Sequence, residues 1–235
     1  MSRTPVFPVS EIFGPTLQGE GIHSGRVATF IRFAGCDSNC EWCDTKYAWK
    51  TEGSPMMTSN QIVSETLEKM HDNQRLVILT GGNPALYDLG GIIGSLHRLG
   101  IEVHVETQGT VFPAWLGKSD FISFSPKPTQ EALRGEWIPM ASIYKMFYLL
   151  ENETKGQLKF IIDTNEEYNY AKHIASRELS IPMIFQPKFL ANKAMDVSYG
   201  NMELANKMCA DRTLSSNVRF APQMHRILWS DKRGK

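Results

Sequence analysis

The sequence carries no excess of either charge, since 25 Lys and Arg balance 25 Asp and Glu. With no net field over the molecule, electrostatic recruitment of nucleic acid or of an acidic membrane is not expected, and a small-molecule ligand is. Long hydrophobic runs are missing as well. None approaches the roughly 20 residues that a membrane helix needs. The opening stretch MSRTPVFPVSEIF lacks the apolar core and small-residue cleavage site of a secretory signal, so a cytoplasmic location is expected. There is no internal repeat, no low-complexity tract and no linker rich in Gly, Ser or Pro. One domain over residues 1–235 is therefore expected, and a 42% hydrophobic content suffices for its core. Cysteine is scarce: Cys36, Cys40, Cys43 and Cys209 are the only four. Three of them crowd into eight residues, which rules out a disulfide framework for a chain of this length. In a reducing compartment such crowding points to metal binding or catalysis.

Apolar runs over 27–33, 76–79, 101–106, 121–124, 158–162 and 183–185 predict six strands. Helices are predicted from a capping box at Thr58 to about residue 71, over 86–99 with Gly100 as C-cap, over 166–178 and over 201–211. Segment 130–139 carries no assignable pattern. Alternation of strands and helices predicts an α/β fold with a parallel sheet and right-handed crossovers. Six strands fall short of a closed eight-stranded barrel, so a partial, modified TIM-type barrel is expected. Ligands of such folds gather at the C-terminal ends of the strands. Five polar or Gly-rich segments fall there: the cysteine loop, Thr80–Pro84, Glu106–Thr110, Ser125–Lys127 with the proline after it, and Gln186–Lys188.

Cys36-x3-Cys40-x2-Cys43 offers three thiolates. A structural zinc site normally has four ligands, and so does a simple iron–sulfur electron carrier. Cys209 is a candidate fourth ligand, but at its distance in sequence a small core residue is the commoner reading. Three thiolates on a four-iron cluster leave one iron open to a small molecule. Iron–sulfur is the favoured reading, with zinc the alternative. Gly35 permits a close turn before Cys36, and Trp42 is placed to shield one face of a cluster.

The cysteine spacing, together with Thr80-Gly81-Gly82-Asn83-Pro84, resembles the radical S-adenosylmethionine (SAM) superfamily and its TGGEP segment. A narrower likeness runs through most of the chain. It is carried by Glu11–Phe13, Leu17–Gly21, Phe30–Cys36, Trp42–Thr45, Glu106–Thr110, Ser125–Lys127, Gln186-Pro187 and Gln223-x-His225. These segments resemble the 7-carboxy-7-deazaguanine synthases. The resemblance implies rearrangement of 6-carboxy-5,6,7,8-tetrahydropterin with loss of ammonia, on the route to queuosine and related deazapurines. It implies a 4Fe–4S cluster, SAM and Mg2+ as cofactors, a homodimer, and an electron donor such as flavodoxin.

Site residues follow from the same resemblance. Cys36, Cys40 and Cys43 would hold the cluster, and Thr45 would ligate Mg2+. Glu41, Trp42, Asp44, Gly82, Asn83, Ser125, Pro126, Lys127 and Gln186 would contact SAM. Leu17, Gln18, Gly19, Arg32 and Thr80 would bind substrate, with Arg32 pairing its planar fork to the pterin carboxylate. Glu20, Glu106 and His225 would act on the substrate or accept from its N–H groups. Two features depart from the family pattern. Asn83 stands where TGGEP has Glu, and the basic end RILWSDKRGK differs from relatives whose terminal residue closes the site. Other readings are a glycyl-radical activase, though the chain has no second cysteine group, and an inactive relative acting as a binding protein.

Overall fold

The structure is a computed structural model that describes residues 4–135, 141–177, 180–188, 196–230 and 232–234. The chain starts with β1 (Val6–Leu17), β2 (Val27–Phe33) and β3 (Met56–Thr58), followed by α1 (Ser59–Lys69), β4 (Leu76–Gly81) and α2 (Gly90–Arg98). Next come β5 (Glu102–Thr107), β6 (Phe121–Phe124), α3 (Gln130–Leu133), α4 (Ala141–Asn152), β7 (Lys155–Ile162) and α5 (Asn165–Ala175). The last elements are β8 (Met183–Pro187), α6 (Asp196–Ala210), β9 (Val218–Phe220) and α7 (Met224–Trp229). All described strands join one sheet in the order β3-β1-β2-β4-β5-β6-β7-β8-β9. From β2 to β9 every neighbouring pair is parallel, while β1 runs antiparallel to β2 and β3 antiparallel to β1. No pairing joins β9 to β3 among the described residues, so the barrel is partial.

The six expected strands are present, and β9 adds a seventh parallel one. Strand β1 escapes sequence reading because Pro8, Gly14 and Pro15 interrupt its apolar pattern. Helix α4 was also missed, although Ile143, Met146 and Phe147 form its buried stripe at helical spacing. Residues 130–133 of the unassigned segment form one helical turn capped by Thr129, and 136–139 lie outside the described residues. The Thr58 capping box forms as expected: Gln61 N donates to Thr58 Oγ1 at 3.3 Å, and Thr58 N donates to Gln61 Oε1 at 2.8 Å.

Strand alternation sorts the two faces of the sheet. Ile31, Phe33, Val77, Leu79, Val103, Val105, Ile122, Phe124, Leu158 and Phe160 pack into the main core with helix residues such as Ile62, Ile92 and Leu96. The opposite face carries Phe30 and Ile78, which cluster with Phe13. Elsewhere this face turns polar, with Arg32 on β2, Thr80 on β4, Glu106 on β5 and Lys159 on β7. The apolar face holds the fold together and the polar face is left for a ligand.

Candidate active site

One cleft of about 1300 Å3, open mouth included, occupies the polar face. Its rim is the cysteine loop with the C-terminal ends of β4, β5 and β6. Residues Leu17–Glu20 line the cleft from the opposite end. Leu17 pairs with Val27 at the far end of β2, and the chain then crosses to β7, where Ile22 N donates to Gln157 Oε1 at 2.9 Å. This crossing aims Gln18 and Glu20 up into the cleft.

Inside the cleft, Glu106 accepts from Gln18 Nε2 at 2.9 Å and from Thr80 Oγ1 at 2.8 Å. The three residues make a hydrogen-bonding row beside Arg32, which pairs in register with Thr80. Arg32 is already part-engaged. Its Nε donates to Glu11 Oε1 at 2.7 Å, and its guanidinium lies 5.2 Å from the Phe13 ring centroid. Glu11 also accepts from Tyr47 and Arg233, so it anchors Arg32 from behind. Gln18, Leu17, Gly19, Arg32, Thr80 and Glu106 all line the cleft.

Glu20 is tied to Lys159 by an ion pair, and accepts from Gln223 Nε2 at 2.6 Å and Gln186 Nε2 at 3.1 Å. Burial opposes its charge, but the Lys159 ammonium, His225 and the Gln223 amide hold it well below the usual carboxylate range. Lys159 is held above its ordinary value: burial opposes its charge, and Glu20, with Glu106 beyond, more than offsets that. Sequence reading missed Lys159. The signal was a cation alternating with Leu158 and Phe160 in an apolar strand. Gln186 lies behind Glu20 and not on the cleft wall, and its Oε1 is buried without a donor among the described residues. His225 lines the cleft against Gly19, where any Cβ would collide with its ring.

The rim carries the cysteines. Cys36, Cys40 and Cys43 are half-buried and all line the cleft. Burial pushes the Cys36 and Cys40 thiols up, and the Lys127 cation pulls Cys40 back. N–H groups aim at the sulfurs: Thr45 N at Cys43 Sγ, 3.3 Å, and Gln108 Nε2 at Cys36 Sγ, 3.5 Å. Such donors suit thiolates that ligate iron. Among the described residues no three Cys, His, Asp or Glu side chains converge round a single ion. Cys209 is exposed on α6 and away from the cleft, which corrects its expected place in the core and leaves three thiolates. The loop therefore fits a cluster with one open iron better than a closed zinc site.

The remaining rim residues fall into two groups. Trp42, Asp44, Thr45, Gly82, Ser125 and Lys127 line the cleft, whereas Glu41, Asn83 and Pro126 do not. Lys127 Nζ donates to Ser125 Oγ at 2.8 Å and sits 4.9 Å from the Trp42 ring centroid; burial lowers its pKa to about 8. Gly82 lacks a Cβ for a protein reason: one there would strike the Gly35 carbonyl, onto which Asn83 N donates at 2.8 Å. Asn83 is fully buried and saturated. Its Nδ2 donates to Asp37 Oδ1 and Thr110 Oγ1, each at 3.0 Å. Its Oδ1 accepts from Thr107 Oγ1 at 2.8 Å and Ala85 N at 3.2 Å. The amide is a structural donor to Asp37, a role that a Glu could not fill. The basic end is engaged too: Arg226 meets Asp44 at 3.3 Å, and Arg233 meets Glu11 at 2.9 Å.

A parallel partial barrel, a three-cysteine loop at its rim and a polar cleft beneath define a radical SAM enzyme. The Radical SAM superfamily model matches residues 30–119. A 7-carboxy-7-deazaguanine synthase of Bacillus subtilis (strain 168) is 34% identical, covering 97% of this chain and 98% of that protein. A namesake from Pyrobaculum aerophilum is 30% identical, with both chains fully covered. The crystal structure of QueE from Escherichia coli shares the fold, with a TM-score of 0.67 at 22% identity over 94% of this chain and 95% of that one. The chain belongs to the 7-carboxy-7-deazaguanine synthase family.

Proposed function

We propose that this chain converts 6-carboxy-5,6,7,8-tetrahydropterin to 7-carboxy-7-deazaguanine with loss of ammonia. The observation that carries this reading is the row Gln18–Glu106–Thr80 beside Arg32, facing the cysteine loop across one cleft. When bound, the cluster and SAM supply the radical that removes a hydrogen atom from the substrate.

The residues of the chain do the rest. Glu106 accepts from the N–H groups of the pterin edge while Gln18 and Thr80 hold its carboxylate in line. Arg32 is anchored through Nε and offers its terminal nitrogens to the substrate carboxylate. The Glu20–Lys159 pair and His225 close the floor and fix the ring against rotation. Binding in one orientation decides which C–H faces the radical. Equilibrium binding of 6-carboxytetrahydropterin to the cluster-loaded chain tests this. Glu106→Ala is expected to weaken binding by about tenfold or more, the scale of an unpaired buried donor. Equal binding by both proteins would contradict the assignment.

Mg2+ is assigned to Thr45, whose hydroxyl donates to Asp44 Oδ1 at 2.8 Å. Two hard oxygens at the cleft wall suit an ion that keeps waters and takes few protein ligands. Thr45→Ala is expected to raise the Mg2+ requirement about tenfold, as loss of a metal's oxygen partner does. An unchanged Mg2+ titration of turnover would remove the metal from this site. A homodimer reduced by a small donor such as flavodoxin follows from the family resemblance alone, and a cytoplasmic location from the opening stretch of the sequence; together they complete the proposal.

A further inference from the structure

Gln108 follows the buried end of β5 and plays no part in the substrate row. It is buried and lines the cleft on the cysteine side. Its Nε2 has two acceptors: Asp37 Oδ1 at 2.7 Å and Cys36 Sγ at 3.5 Å. The first bond is charge-assisted and short enough to fix the plane of the amide. Asp37 itself is held from two further sides, by Asn83 Nδ2 at 3.0 Å and by the Thr110 hydroxyl. Because Asn83 has no free donor or acceptor, it cannot turn away from Asp37 without leaving buried groups unpaired. The chain Asn83–Asp37–Gln108 therefore aims one N–H at the Cys36 sulfur before any metal arrives.

We propose that Gln108 is a positioning residue that orients the Cys36 thiolate and raises the reduction potential of the cluster bound there. An N–H donated to a ligating sulfur draws electron density from it. It stabilises the reduced cluster, which bears the greater negative charge, more than the oxidised one. Asp37 carries a charge of the opposite effect, but it is exposed to solvent and shares that charge among three donors. The balance favours the hydrogen bond. This also gives the Asn83 substitution a purpose. The amide supplies the donor that lets a carboxylate sit inside the cysteine loop, and that carboxylate in turn holds Gln108.

The inference rests on the cluster reading, and the test separates the two. The full chain is reconstituted anaerobically with iron and sulfide, its iron counted, and its cluster titrated against potential with electron paramagnetic resonance as the readout. Gln108→Leu removes the donor at similar size. The expected result is full iron content, a signal of altered shape and a shift of the midpoint to more negative potential. An intact cluster with an unchanged or more positive midpoint overturns the proposal and leaves the cluster assignment standing. A wild-type chain that takes up no cluster overturns the reading beneath it. If Gln108→Leu fails to hold iron, the wild-type protein decides. With 15N in its glutamine side chains, pulsed resonance of the reduced cluster should show a weak nitrogen coupling that changes with the isotope. Among the described residues Gln108 alone presents a glutamine N–H to a cysteine sulfur. Absence of that coupling overturns the proposal.

Discussion

Lys159→Met is expected to destabilise the chain by about 3–5 kcal/mol near neutral pH, the range found when one partner of a buried ion pair is removed. Glu20 would remain buried, with the Gln186 and Gln223 amides and the nearby His225 left to answer its charge. The sign with pH is fixed. In the native chain the Glu20 pKa is depressed, so its contribution is present above the unfolded value of about 4.3 and is lost as pH falls through the folded one. The Lys159 pKa is raised, so its contribution is present below about 10.4 and is lost as pH rises through the folded value. In Lys159→Met the Glu20 pKa rises instead, and protonation relieves the stranded charge. The gap in melting temperature between the two proteins should therefore narrow as pH falls from 7 toward 5. Glu20→Gln added to Lys159→Met should recover most of the loss. A gap that is constant with pH, or no recovery in the double variant, would show that the pair is not the source.

The second large effect belongs to the cysteine loop. Cys40→Ala is expected to leave a folded but colourless protein that forms no 5′-deoxyadenosine from SAM under strong reduction. The loop's shape does not depend on that thiol: Cys36 N donates to Trp49 O at 3.0 Å, and Cys43 N to the Cys40 carbonyl at 2.9 Å. Stability without the cluster should change by less than about 1 kcal/mol, as for a substitution away from the core. Cys209→Ala serves as the control and should keep the brown cluster, because Cys209 lies exposed on α6. SAM cleavage by Cys40→Ala, or loss of the cluster in Cys209→Ala, would refute the three-thiolate assignment.

Parts of the site were legible because their information is local. Three cysteines at fixed spacing, or Thr58 and Gln61 at a helix start, declare their chemistry within a few residues. The apolar runs of β2, β4, β6 and β8 are legible for the same reason. What escaped depends on register across the sheet. Lys159 becomes a site residue only because β7 turns that position inward, toward Glu20 on a segment 139 residues earlier. Gln108 and Asp37 meet only because the loops after β5 and β2 lie side by side, 71 residues apart in sequence. Asn83 looked like a weakened Glu while its neighbours were unknown. Beside Asp37, it is the residue the local hydrogen bonding requires.

Rearrangement of a carboxylated pterin in this cleft can be tested directly. The measurement is a single anaerobic turnover assay: reconstituted chain, SAM, Mg2+, strong reductant and 6-carboxytetrahydropterin, with products read by mass. The expected product is 7-carboxy-7-deazaguanine, formed only when the cluster is present and lost with Cys40→Ala. Formation of 5′-deoxyadenosine without the deazaguanine, from a fully loaded enzyme, would contradict the substrate assignment.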